Sequence, residues 1–99
     1  MLIQVAPKLA GDTRLTACDF APLLTAGQTV TGATVTVSVY SGTDASPPTF
    51  TPSFSASSVV AVSESGGIAG VIYLVKVVPT TPSTVPAITY LLAILPDQP

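Results

Sequence analysis

Residues 31–40 read TGATVTVSVY. Val35, Val37 and Val39 fall on one side of an extended chain, and Thr34, Thr36, Ser38 and Tyr40 fall on the other. That period of two marks a strand with one face in a core and one face in water. The rest of the chain follows the same logic. Ten prolines and seven glycines cut it into short pieces. Thr, Val, Ile and Tyr dominate between the cuts, and these residues suit a pleated surface. No window of about a dozen residues repeats with the helical period. The breaks predict about seven strands, at residues 2–6, 13–20, 32–40, 49–55, 57–63, 69–78 and 87–95. Pro52 marks 49–55 as an edge strand, because proline has no N–H to give to a ladder. APLL at 21–24 allows one short helical turn, and Gly27 supplies a turn after it. The expected architecture is all-β: an immunoglobulin-like antiparallel sandwich of Greek-key type, formed as one domain over residues 1–99.

Tyr73 fits this architecture in a particular way. It sits early in the penultimate strand, with Val75 two residues on. In an immunoglobulin-like domain a Tyr there bonds back across the corner while the residue two further on is buried. An ordinary core tyrosine is the other reading.

Composition narrows the function. The chain has 99 residues, 47% of them hydrophobic, enough for a single packed core. Only 8% are charged, namely Lys8, Arg14, Lys76, Asp12, Asp19, Asp44, Glu64 and Asp97. Ordinary domains carry about 25%. The surface is therefore built from Thr, Ser, Pro, Gly and some exposed apolar area. Either that neutral surface is soluble as it stands, or other subunits cover much of it. Three basic residues make no stripe for a nucleic-acid backbone and no attraction to anionic lipid. The opening MLIQVAPKLAG lacks the charged segment and sustained apolar run of a signal peptide. IAGVIYLVKVV and AITYLLAIL are about half as long as a membrane helix requires.

Those two apolar stretches break the pattern of residues 31–40. In AGVIYLVKVV, Val71, Tyr73, Val75 and Val77 share one face, and Ile72, Leu74, Lys76 and Val78 share the other. In AITYLLAIL, Ile88, Tyr90, Leu92 and Ile94 oppose Thr89, Leu91, Ala93 and Leu95. A sandwich strand needs only one apolar face. A second apolar face implies a second covering, by a partner subunit or by a loop such as the Pro-rich 79–86 connection. Ile72, Leu74, Val78, Leu91, Ala93 and Leu95 are the candidate interface residues. A one-residue slip in register would exchange the two faces.

Chemistry is scarce. The chain has no His, which removes the commonest general base and metal ligand. The five carboxylates are scattered, and Asp44 and Glu64 lie in turn-like segments, where solvation is expected. Asp19 precedes APLL and is placed to cap that turn. Cys18 is the single cysteine, so no intrachain disulfide forms, and its expected role is a small buried apolar side chain. SGTD and ESGG are turns without the following helix of a phosphate loop. The six aromatics have no interleaved basic residues, so no base-stacking platform is expected. These residues give no enzyme, no cofactor and no metal site.

LTACDFAPLLTAGQTVTGATVTVSVYSG has a further value as a unit. A short strand ends in Asp19 and Phe20, a turn carries Leu23 and Leu24, and Gly27, Thr29 and Val30 lead into the alternating strand. Later, Ala69, Gly70, Tyr73 and Val75 follow a glycine turn. Over roughly residues 13–95 this arrangement resembles a family of small immunoglobulin-like structural proteins from tailed bacteriophage virions. The Pro-rich 79–86 turn and the very apolar last strand depart from it. The resemblance implies location in a virion, a symmetric multi-copy assembly, and contacts with tail, neck, fibre or capsid subunits. It implies an adaptor in the tail, neck or fibre-attachment region, or a decoration protein bridging capsid subunits. It brings no catalytic residues. A small adhesion module for a host surface or glycan is the reading from another class.

Overall fold

A computed structural model describes residues 2–24, 28–54, 58–81 and 85–96. The expected turn at Gly27 and the middle of the Pro-rich connection lie outside them. The strands are β1 (Leu2–Ile3), β2 (Lys8–Leu9), β3 (Arg14–Asp19), β4 (Gly32–Ser41), β5 (Thr51–Phe54), β6 (Val59–Glu64), β7 (Ile72–Thr80) and β8 (Ile88–Leu95). One sheet has the order β1-β8-β7-β4, with β2 also on β8, and the other has the order β3-β6-β5. After β3 the chain crosses to β4, returns for the β5–β6 hairpin, and crosses again for the β7–β8 hairpin. This is an immunoglobulin-like Greek-key sandwich.

Its N-terminus differs from expectation. The anticipated strand at 2–6 is two short strands on either side of Pro7, and both lie parallel to β8. Pro7 interrupts a single ladder, so the chain pairs before it and again after it. Parallel pairing of distant segments leaves no local trace in sequence.

β4 spans ten residues, as its alternation requires, and pairs antiparallel with β7 in register from Gly32↔Thr80 to Val39↔Tyr73. Val35, Val37 and Val39 face Val77, Val75 and Tyr73 on the core side. β5, with Pro52, is an edge strand on β6. β7 starts later than expected, at Ile72, because Gly70 takes φ +88° and turns the chain just before it. It also continues through Pro79. Pairing with β8 stops at Val77↔Ile88, so among the described residues Pro79 has a strand neighbour on one side only, where a missing N–H is tolerated.

The core lies between the sheets. Val75, Val77, Tyr90 and Leu92 from one sheet meet Cys18, Val60 and Val62 from the other, with Phe20 and Phe50 closing it. The ESGG turn belongs to this packing. Gly67 has φ +103°, and a Cβ there would lie 2.9 Å from the Ile94 side chain. Asp19 acts as expected, accepting the Ala21 N–H at 2.9 Å where a 3₁₀ turn spans Ala21–Leu23. Tyr73 reaches back as a corner tyrosine does: its hydroxyl accepts the Ile68 N–H at 2.9 Å and donates to Asp44 Oδ2 at 2.7 Å, and Val75 is fully buried.

Candidate interaction surface

The β7–β8 register fixes which side of the hairpin faces out. Ile72 pairs with Ala93 and Leu74 with Leu91, while Tyr73 pairs with Leu92 and Val75 with Tyr90. Tyr73, Val75, Tyr90 and Leu92 are buried in the core. Ile72, Leu74, Leu91 and Ala93 therefore share the opposite, outer face, and each is half-buried. Val78 extends this face along β7 and is 39% exposed, and Leu95 extends it along β8 and is 43% exposed. All six candidate residues, taken from two separate strands, come together on one surface. Leu2 joins them from β1, opposite Thr89, and is 66% exposed. Sequence reasoning missed Leu2, because only the parallel pairing with β8 brings it here.

The surface is graded. On its β4 side Ser38 lies opposite Leu74, Thr36 opposite Lys76 and Thr34 opposite Val78, so this margin is neutral and polar, while exposed Lys76 and its partner Thr89 interrupt the apolar rows between Leu74 and Val78. On the β1 side Leu2, Ile3, Gln4, Val5 and Leu91 line a recess of about 290 Å³. That is at the lower end of small-molecule pockets, which span roughly 300–1,000 Å³. A recess of this size has room for one or two side chains.

Glu64 corrects the sequence-based expectation. It is fully buried at the end of β6, not solvated in a turn. Alternation explains this: Val60, Val62 and Glu64 all point inward from one strand. Its Oε1 accepts from Thr16 Oγ1 at 2.9 Å and from Arg14 Nε at 3.1 Å, and its Oε2 accepts from Tyr90 Oη at 2.5 Å. A buried carboxylate costs several kcal/mol unless paired and hydrogen-bonded, and these three donors supply that compensation. The cluster joins β3 and β6 of one sheet to β8 of the other. Arg14 Nη1 also donates to the carbonyls of Ala6 and Pro7 at 2.6 and 3.2 Å, tying down the N-terminal segment.

The surrounding groups titrate accordingly. Burial, then the hydrogen bond to Glu64, pushes the Tyr90 phenol well above its ordinary value. Burial, reinforced by the Glu64 charge, pushes the Cys18 thiol up to about 11. Cys18 is 1% exposed, the buried residue expected from sequence. Asp44 is half-buried against Tyr73, which corrects the expectation that it is solvated. Burial and that hydrogen bond also raise Tyr73. Lys8 is 2% exposed, and its ammonium donates to the carbonyls of Leu9, Ala10 and Asp12 at 2.8, 3.5 and 2.7 Å. Nothing in the sequence marked it as buried. Among the described residues, no three of His, Cys, Asp and Glu group as metal ligands would.

No protein-family model and no curated protein matches the chain. Among solved structures it superposes on part of an endo-fucoidan hydrolase from glycoside hydrolase family 107, with a TM-score of 0.51 and 8% identity. The alignment covers 98% of this chain and 13% of the hydrolase. At that identity the likeness is one of β-sandwich fold alone.

Proposed function

We propose that this chain is a non-enzymatic structural protein of a bacteriophage virion, an adaptor in the tail, neck or fibre-attachment region. It works through protein–protein contacts as one of a symmetric set of copies. The outer face of the β7–β8 hairpin carries the reading, with Ile72, Leu74, Val78, Leu91, Ala93 and Leu95 on one surface. A sandwich strand gains nothing in its own core from apolar residues on that side. In a chain with 8% charged residues, such a face is matched to a neighbouring subunit. The resemblance of residues 13–95 to small virion proteins supplies the context.

Leu74→Lys tests it. Leu74 is half-buried on the outer face, and the lysine stem can lie along the strand with its ammonium in water. The variant folds with a stability loss below about 1 kcal/mol, as surface changes usually do. Its incorporation into particles falls at least tenfold against the unaltered chain, measured by quantitative mass spectrometry of purified particles. Normal incorporation refutes the contact surface. Copy number in the same experiment separates an adaptor, at a few to a few tens per particle, from a capsid decoration protein, at hundreds. A free chain that binds glycans in solution and is absent from particles would mark an adhesion module.

A further inference from the structure

Each sheet has two edges, and an edge strand exposes backbone donors and acceptors that can pair with another chain. Among the described residues, three of the four edges carry a device that discourages this. β1 and β2 are two residues each and are separated by Pro7. β5 is four residues long and contains Pro52. β3 has Arg14 at one end and Asp19 at the other. β4 is different. It is ten residues long, GATVTVSVYS, with no charge and no proline, and its bulge lies at the far end between Val39 and Ser41. Among the described residues it pairs with β7 alone.

Val35, Val37 and Val39 point inward opposite Val77, Val75 and Tyr73, which are 0% exposed, and they pack against the core, yet these three valines are only half-buried. A further strand beside β4 would cover more of them.

We propose that β4 is a pairing edge for a second copy of this chain, so that two five-stranded sheets join into one across a two-fold axis. The axis passes near Thr36, the middle of the regular part of the strand. Thr36 then lies opposite the second copy's Thr36, Thr34 opposite Ser38, and Val35 opposite Val37. Self-pairing suits this strand because it places no like charges together, and Thr–Thr and Val–Val neighbours are favourable cross-strand pairs. A two-fold contact uses the same patch on both copies, so one neutral edge suffices. The contact lies at the sheet's edge, which leaves the outer face of the β7–β8 hairpin clear for a different partner.

The test uses the full chain. In sedimentation velocity, the mass doubles with rising concentration. Thr36→Cys forms a disulfide-linked dimer under mild oxidation, because opposed residues sit about 5 Å apart between Cβ atoms. Leu15→Cys, exposed on β3, forms none at the same rate, and Cys18 is too buried to compete. Thr36→Lys, which opposes two ammonium groups across the axis, remains a monomer with an unchanged circular dichroism spectrum. Leu74→Lys dimerises like the unaltered chain. A monomer at every concentration overturns the proposal, and this is also the outcome if the edge accepts only a strand of some other protein. Cross-linking of Leu15→Cys as fast as Thr36→Cys overturns it too, as does a dimer lost in Leu74→Lys and kept in Thr36→Lys.

Discussion

Tyr90→Phe removes one oxygen from the centre of the molecule. The ring remains, so the core keeps its packing and no sizeable cavity opens. What goes is the 2.5 Å hydrogen bond that the Tyr90 hydroxyl donates to Glu64 Oε2. A hydrogen bond to a charged group is worth roughly 1.5–3 kcal/mol, and a buried acceptor left without its donor adds desolvation cost. The expected loss is about 2–3 kcal/mol. For a domain of this size each kcal/mol shifts the melting point by roughly 4–8 °C, so Tyr90→Phe melts about 10–20 °C lower. Urea unfolding followed by far-ultraviolet circular dichroism at pH 7 measures the difference directly. The midpoint falls and the slope stays the same, because the surface exposed on unfolding is unchanged. Glu64→Gln supplies the second arm of a double-mutant cycle, and the two changes couple by more than about 1 kcal/mol because they act on one contact. A loss below about 0.5 kcal/mol for Tyr90→Phe with an unchanged slope would refute the claim that this buried carboxylate depends on its donors.

Three more outcomes follow from the same structure. Tyr73 and Tyr90 titrate higher when folded than the ordinary phenol value of 10.0, so the folded state holds their protons more tightly. Their contribution to stability is complete below about pH 10 and declines as pH rises past it; Tyr90→Phe flattens that alkaline decline in a pH series of urea midpoints. The Cys18 thiol, raised from 9.0 to about 11, is alkylated at pH 8 at least about 100-fold more slowly in the folded chain than in urea. Leu92→Ala and Leu91→Ala compare the two faces of β8. Leu92 is fully buried, and its truncation costs about 2–5 kcal/mol, while Leu91→Ala on the outer face costs under about 1 kcal/mol in chemical denaturation.

The alternating and apolar strands were legible in the sequence because their pattern is local. β4 lies one residue from its expected end, and the chemistry of Pro52 correctly marked β5 as an edge. The six outer residues of the hairpin could be named from sequence in two sets of three. Only the register Leu74↔Leu91 shows that both sets lie on one surface. Glu64 was misread because it precedes SGG and resembles the start of a turn. The signal that would have found it is the run Val60, Val62, Glu64, whose period of two carries the acid inward. Lys8 and Leu2 had no such signal. Both owe their positions to parallel pairing with β8, more than eighty residues away, which no local pattern encodes. Long-range pairing also explains why Pro79 was expected to end β7. Its place in the strand depends on where β8 stops.

The central claim is that the outer face of the β7–β8 hairpin meets another chain. A reconstruction of the intact particle at side-chain resolution tests it most directly. The account predicts Ile72, Leu74 and Leu91 beneath a neighbouring subunit, with an anchoring side chain in the recess beside Leu91. That same face open to solvent in every copy would contradict it.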